Sequence, residues 1–551
     1  MSELRSRSLD RLDGGELDVL IIGGGINGAV ASAALSGRGA SIGLVDRGDF
    51  ASATSQESSN LVWGGFKYLE HYDIGLVRKL CRSRNRLMRA YPANIAEIGF
   101  LAALGRTAPF PHWLAGIGSY AYWAIGDFKT AAPRMLSRQA VERLEPVIDT
   151  SEVKGGVEYA DAHLKDNDAR FTFSFVRTAL DHGAAVANYV EVVGAERAAG
   201  VWRVGLRDLD EGRDLSVTAR VLVNAAGPFA DTVNGMLEVS PVHRIVHSKG
   251  IHLIVDQLTT NERVLAFFDD TRRLFYVIPM GRRSMIGTTD TRVAEPTKDV
   301  TEEDRAFLLD QINDRLDLPS PLTTDDIIAE RCGTRPLVVR ATGDDRLDAE
   351  WTSLSRKHEL EVDAEREVVS ILGGKLTDCL NVGEEIAEAV AGLGVVLEPQ
   401  DGPWYGEPPA ATRRAFYRQA RAIRLDDLRD KPGVEPLSDR LWRRYGQRAF
   451  DLLDAIREDP TMGEDIMDAA DYLRAELHHT ARHEMVTRLD DFLRRRSKIA
   501  QVVRDDEVRR STGLGEVAEV LFGAEAREKL IDHFGSDVTA DATAGFEQDE
   551  P

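Results

Sequence analysis

A mixed α/β and α+β fold of several domains is predicted by three observations. The first is an apolar run, a glycine turn and a small-residue helix in "LDVLIIGGGINGAVASAALSGRG" (17–39). The second is the return of similar strand signals far along the chain, "ARVLVNAAGP" (219–228) and "EVVSILGGK" (367–375). The third is a change to helical periodicity after the Pro/Gly-rich stretch "EPQDGPWYGEPPAATRR" (398–414).

Each element follows from local chemistry. "LDVLII" is short, branched and ended by glycines, as a buried parallel strand should be. "INGAVASAALSGRG" places small residues at helical spacing and closes on Gly37 and Gly39. "ASIGLVDRGD" is a second strand that ends in an acid, completing a βαβ unit. Between the strand signals lie strand-like or aromatic segments such as "HSKGIHLIVD" and "LFYVIPMGRRSMIGTTD", read as a second domain inserted into the first. "DAADYLRAELHHTARHEMVTRLDDFLRRRSKIAQVV" spaces apolar residues by three and four with dense charge between, which predicts a separate helical domain. The final stretch is small, acidic and expected to be disordered.

Composition narrows the function. A length of 551 residues calls for two or three domains. A net charge of −22 argues against nucleic-acid binding, since a polyanion would be repelled. Three isolated cysteines, Cys81, Cys332 and Cys379, exclude a disulfide framework, and no metal site is expected. Neither a leader peptide nor an apolar stretch long enough to span a bilayer is read. A cytoplasmic protein is expected, resting at most on the cytoplasmic face of a membrane.

Gly23, Gly25 and Gly28 form GxGxxG between a strand and a helix, and Asp46 ends the next strand. Gly23 permits the tight turn, Gly25 the approach of a pyrophosphate, and Gly28 close helix–strand packing. The helix N-terminus supplies free N–H groups for phosphate. Asp46 suits a ribose diol and disfavours a 2′-phosphate, so FAD or NAD is favoured over NADP. "ATSQESSN" decides between them: FAD needs further hydroxyl and backbone contacts, and Thr54, Ser55, Ser58, Ser59, Gly64 and Gly65 follow at the right place. Val190, Ala226 and Gly227 join them as cofactor-binding positions.

The motifs "DVLIIGGGINGA", "ATSQESSNLVWGGFKYLEHYDIGLV", "NAAGPFAD", "SKGIHLIV", "FYVIPMGRRSMIGTTD", "CGTRPL" and "GGKLT" together resemble the FAD-dependent glycerol-3-phosphate dehydrogenases, within the D-amino-acid-oxidase-like flavoproteins. "HEMVTRLDDFLRRRSK" is similar to that family's C-terminal domain, so the resemblance spans about 16–510. It implies a Rossmann-like FAD-binding domain in three pieces (16–85, 150–240, 365–397) and a substrate domain with a mixed or antiparallel sheet (86–149, 241–364). A linker (398–414), a helical domain (415–520) and a disordered tail (521–551) complete the expected order. The implied reaction removes hydride from C2 of sn-glycerol 3-phosphate to flavin N5, giving dihydroxyacetone phosphate, with electrons passed to a quinone or, in oxidase relatives, to oxygen.

Carried over residue by residue, the resemblance places Gly374, Lys375, Leu376 and Thr377 against the flavin. Lys67, Tyr68, Arg335 and Arg356 fall on the substrate, with arginine suited to phosphate by its planar fork. His252, Arg335 and Lys375 are the catalytic candidates; His252 has the intrinsic pKa of a base, while Lys375 or Arg335 could instead polarise the hydroxyl. The family suggests a homodimer and peripheral membrane contact. "FPHWLAGIGSYAYWAIGDF" (110–128) and the arginine-rich "TRRAFYRQARAIR" (412–424) are the candidate membrane faces.

Where the family usually has "IHGGLRYL" this chain has "VWGGFKYL", placing Trp63 for histidine and Lys67 for arginine. After "GGKLT" it has Asp378, Cys379 and Leu380 in place of Thr-Tyr-Arg. These changes are read as lying near one pocket, re-tuning it for another 2-hydroxy compound or drifting without effect. Three readings therefore stand: a glycerol-3-phosphate dehydrogenase; an oxidase or dehydrogenase of a different hydroxy acid or amine; and a non-catalytic flavin-binding redox sensor.

Overall fold

The computed structural model describes residues 3–71, 73–105, 107–270, 272–341, 357–400, 402–429, 435–467 and 470–535. Two sheets dominate. The first runs in the order Glu359–Asp363, Val368–Leu372, Asp214–Asn224, Glu16–Ile22, Ile42–Val45, Ala185–Ala187, with Val190–Ala198 and Val201–Asp208 attached at Asp214–Asn224. Its centre is parallel: Val19 pairs with Val221 on one side and Ile42 on the other. Being covered on both faces, these strands are continuous apolar runs rather than alternating ones.

Helices Ile26–Ser36, Asp168–Asp181 and Cys379–Gly392 bury one face of this sheet through Val30, Ala34, Phe173, Val176, Val382 and Ile386. The helix Ile26–Ser36 is small-residue all round because it lies between the sheet and its two neighbours. Gly28 is the tightest point: a Cβ there would lie 1.8 Å from the Gly23 carbonyl oxygen.

The second sheet holds His243–Asp256 at its heart, paired antiparallel with Ala329–Arg340 and Arg283–Gly287. Strand Gly155–Leu164 belongs to this sheet, antiparallel to Ile95–Leu104, although it was assigned by sequence to the nucleotide-binding pieces. Its alternation of apolar and polar residues does not reveal which sheet will claim it. Helix Ile74–Ala90 likewise crosses the expected boundary at 85.

Among the described residues the C-terminal region is helical with an antiparallel strand pair, Asp465–Met467 against Ala470–Leu473, inside the segment read as helical. Its helices continue to Ala526–Phe534, so order extends past the expected limit of 520. A further helix, Glu3–Leu12, precedes the first strand and is anchored by the buried pair Arg5–Asp208 at 2.6 Å. Within the 398–414 stretch Trp404 is buried in the core against Phe175, while the other described residues are half-buried or exposed.

The 1.8 Å clash makes Gly28→Ala a sharp test of the turn. The variant should lose about 3 kcal/mol of stability, read as a lower midpoint in thermal unfolding, and should be isolated with little flavin; unchanged stability would contradict this packing.

Candidate active site

Most predicted site residues meet at one cavity of about 410 Å³ between the two sheets. Thr54, Ser55, Ser58 and Ser59 line one side, and Gly374, Lys375, Leu376 and Thr377 line another. Lys67, Tyr68, His252 and Arg335 complete the expected set. Arg356 lies outside the described residues.

The glycine turn sits beside this cavity. Ser55 Oγ accepts from the Ile26 N–H at 2.9 Å, meeting one of the donors left open at the helix start. Asp46 accepts from the N–H groups of Gly24 (2.6 Å) and Gly48 (2.8 Å). Burial pushes its carboxyl up to about 6 against the pull of those two N–H groups. Val190 donates its N–H to the Asp46 carbonyl at 2.8 Å, so it buttresses the acid. Ala226 and Gly227 continue from the strand Asp214–Asn224 beside Gly23, whose absent Cβ would lie 2.9 Å from Ala226 Cα.

Gly64 and Gly65 are placed differently from expectation. The space at Gly64 is filled by the Tyr122 hydroxyl, 2.2 Å from a notional Cβ, and that at Gly65 by the Tyr68 ring at 2.7 Å. Both glycines pack on protein rather than lining the cavity. Gly64 donates its N–H to buried Asp161 at 3.1 Å.

On the substrate-domain side, His252 comes from the strand His243–Asp256 and Arg335 from its neighbour Ala329–Arg340. Two glycines make room for them. A Cβ on Gly250 would meet Arg335 Nη2 at 2.0 Å, and one on Gly287 would meet His252 Cδ2 at 2.6 Å. Arg335 is oriented by the Thr288 hydroxyl (2.7 Å), the Thr289 carbonyl (3.2 Å) and Asp290 (3.3 Å). Lys375 Nζ donates to the Tyr68 hydroxyl at 2.6 Å.

His252 is 2% exposed, and among the described residues neither ring nitrogen has a hydrogen-bond partner. Burial, reinforced by the charges of Arg331 and Arg335, holds its imidazole well below 6.5. It is therefore neutral at physiological pH, the form a base requires.

Three residues in the site were not singled out by sequence. Arg273 lines the cavity and donates to the Asp290 carbonyl at 2.8 Å; it precedes "LFYVIPM", where an arginine pair looks like a surface turn. Asp290 ends "IGTTD" and orients Arg335. Asn27 donates to the Gly373 carbonyl at 2.9 Å, linking the glycine turn to "GGKLT", while its Oδ1 is buried without a partner.

The departures separate into two groups. Trp63 and Lys67 line the cavity. Asp378 does not: its carboxylate is buried against helix Ile74–Ala90, accepting from Ser83 (2.7 Å) and Asn381 (2.6 Å) and pairing with Lys79 (3.1 Å) and His358 (3.4 Å). Asp378 pins that helix, which corrects its placement beside the pocket.

FAD fits this arrangement on structural grounds. The turn has no room for side chains at Gly23 and Gly28, an acid closes the next strand, and the orphaned Asn27 Oδ1 sits where the turn meets "GGKLT". A nucleotide turn opening onto a hydroxyl-lined cavity with four cations opposite defines the class: a dinucleotide-dependent oxidoreductase acting on an anionic substrate.

Known proteins agree and are more specific. Residues 18–358 match the family described as FAD dependent oxidoreductase, and 424–529 match the C-terminal domain of alpha-glycerophosphate oxidase. The glycerol-3-phosphate dehydrogenase of Pseudomonas aeruginosa is 32% identical over 492 residues, covering 88% of this chain and 91% of its own. The aerobic glycerol-3-phosphate dehydrogenase of Escherichia coli is 31% identical over 510 residues, covering 89% and 95%. The structure of the Bacillus halodurans glycerol-3-phosphate dehydrogenase complexed with FAD shares the fold, with a TM-score of 0.73 at 24% identity over 98% of this chain and 97% of that one. This chain belongs to the FAD-dependent glycerol-3-phosphate dehydrogenase family.

The position of Asp378 yields a test. Asp378→Ala should cost about 2 kcal/mol through lost buried hydrogen bonds and lower the unfolding midpoint, while the substrate KM stays within about twofold. A large rise in KM without loss of stability would return Asp378 to the pocket.

Proposed function

We propose that this enzyme oxidises sn-glycerol 3-phosphate at C2 to dihydroxyacetone phosphate and delivers the electrons to a quinone. The observation that carries the reading is one cavity holding Lys67, Arg273, Arg335 and Lys375 around a neutral, buried His252. Bound FAD supplies the two-electron acceptor for the substrate C2 hydrogen. The protein supplies the rest. Arg335, held by Thr288 and Asp290, and Lys67 attract the phosphate. His252 takes the hydroxyl proton, and its unpartnered nitrogens favour it as base over Lys375, whose ammonium is committed to Tyr68.

A second reading, a different hydroxy acid, is favoured by Trp63 and Lys67, since both line the cavity. Lysine keeps the charge of the family arginine but loses the two-pronged geometry.

Quinone delivery requires a membrane surface. Among the described residues no helix is long and apolar enough to cross a membrane. Helix His112–Ile125 instead exposes Trp113 (59%), Ile117 (59%) and Tyr120 (49%), with Phe128 (60%) beyond its end. Next to it lies a cleft lined by Arg78, Arg82, Arg89 and Lys129. Apolar side chains beside cations support peripheral contact with anionic lipid. The second candidate face, helix Ala410–Ala422, buries Phe416 and Ala420 in the C-terminal core and so offers only its basic side.

His252→Gln should lower kcat/KM about 100-fold or more with substrate binding changed little. Because the native imidazole resists protonation, the base form persists below pH 6.5, and the acid limb of wild-type kcat/KM should fall below that value. A limb at or above 6.5 would remove His252 as base. Vesicle flotation checks the membrane face: the full chain should rise with phosphatidylglycerol vesicles, and Trp113→Ser/Ile117→Ser/Phe128→Ser should stay behind. Equal flotation of both would reject this face.

A further inference from the structure

The C-terminal domain meets the segment that carries the hydroxyl cluster through a short run, Arg494–Arg495–Arg496, on the irregular turn Asp491–Arg496. All three side chains end on the segment that carries the hydroxyl cluster. Arg495 Nε and both terminal nitrogens of Arg496 donate to Asp49, at 2.6, 2.8 and 2.8 Å. Arg495 also donates to Gln56 Oε1 at 3.0 Å. Arg494 donates to both oxygens of Glu57, at 2.9 and 3.0 Å, and to the Glu330 carbonyl at 3.1 Å.

The segment between these anchors is the one that faces the cavity. Ser55 bonds the Ile26 N–H of the nucleotide helix, and Thr54 donates to the Thr334 carbonyl at 2.6 Å, one residue from Arg335. Arg331 closes the far end, bonding the Gln56 carbonyl and Asp168, which itself accepts from the Ser58 N–H at 2.8 Å. The segment's own bonds, such as Gln56 Nε2 to the Ser52 carbonyl at 3.1 Å, leave a strained point at Ala51, whose φ of 64° is a left-handed conformation that costs energy in a side-chain-bearing residue. Contacts from outside add to these bonds, and the arginine run makes them at both ends.

We propose that Arg494, Arg495 and Arg496 are positioning residues for FAD: docking of the C-terminal domain shapes the Asp49–Ser59 segment, so cofactor affinity and domain docking are linked. The inference rests on FAD as the cofactor. Linkage is reciprocal, so FAD must tighten the arginine run as much as the run tightens FAD.

The test uses the full chain, stripped of and reloaded with FAD. Flavin fluorescence titration should show Arg494→Gln weakening FAD about tenfold or more, as loss of a charged hydrogen bond to Glu57 implies. The shape of its bound flavin absorption band should change, and Arg494→Lys should recover part of the affinity. Arg448→Gln/Lys529→Gln removes two pairs that cross the same domain seam elsewhere, to Asp181 and Asp210, and should leave FAD affinity as in wild type. Hydrogen exchange on the wild-type chain should slow across 484–497 when FAD is added, which keeps the test intact should Arg494→Gln fail to fold. Equal FAD affinity in wild type and Arg494→Gln, equal losses in both seam variants, or exchange at 484–497 indifferent to FAD would overturn the proposal alone. A wild-type chain that takes up no FAD would overturn the cofactor assignment and the proposal with it.

Discussion

Asp49 lies wholly inside the protein, and two guanidinium groups and the Asn188 amide converge on its carboxylate. Burial alone would drive such a carboxyl toward its neutral form. The charges of Arg496 and Arg495 outweigh it and hold the group below the ordinary carboxylate range. Removing both arginines would leave an uncompensated buried charge, which costs about 3–5 kcal/mol. The acid sits three residues past Asp46 and the arginines more than four hundred residues later. The nucleotide turn and the last domain of the chain are thus joined at one buried point.

The same chemistry recurs along the seam. Glu484 pairs with Arg170 at 2.8 Å, and Arg444 bridges Asp166 and Glu476 at 2.7 and 2.9 Å. Burial opposes ionisation of Glu484, yet Arg170 and Arg177 keep it strongly acidic. Ion pairs placed this way are poor sources of net stability but strict determinants of geometry, because a half-made pair is so costly. These pairs cross the seam between the domains, while the apolar cores stabilise each sheet separately.

What was legible in the sequence follows from where the information lies. The glycine turn and the parallel strands are encoded locally and form as read, and Asp46 follows its strand with its carboxylate on the Gly24 and Gly48 N–H groups. His252 and Arg335, on neighbouring strands, also meet Lys375 and the hydroxyl cluster at one cavity. "FLRRRSK" illustrates what was not legible: a run of cations between apolar residues reads as a solvated face, and its partners Asp49 and Glu57 are too distant for any window to connect. Asp378 was misplaced for a related reason, since proximity in sequence to Lys375 says nothing of the side on which a carboxylate emerges. Gly155–Leu164 went to the other sheet because strand patterning does not name a partner.

Catalysis then depends on a contrast inside the cavity. Fixed cations favour a phosphate-bearing substrate, while burial, with the charges of Arg331 and Arg335, keeps His252 uncharged and able to accept a proton. The most direct test is anaerobic mixing of the flavin-loaded enzyme with sn-glycerol 3-phosphate while the visible flavin absorption is followed. The account predicts bleaching within the turnover time and stoichiometric dihydroxyacetone phosphate. A flavin that dithionite reduces but glycerol 3-phosphate leaves oxidised would contradict it.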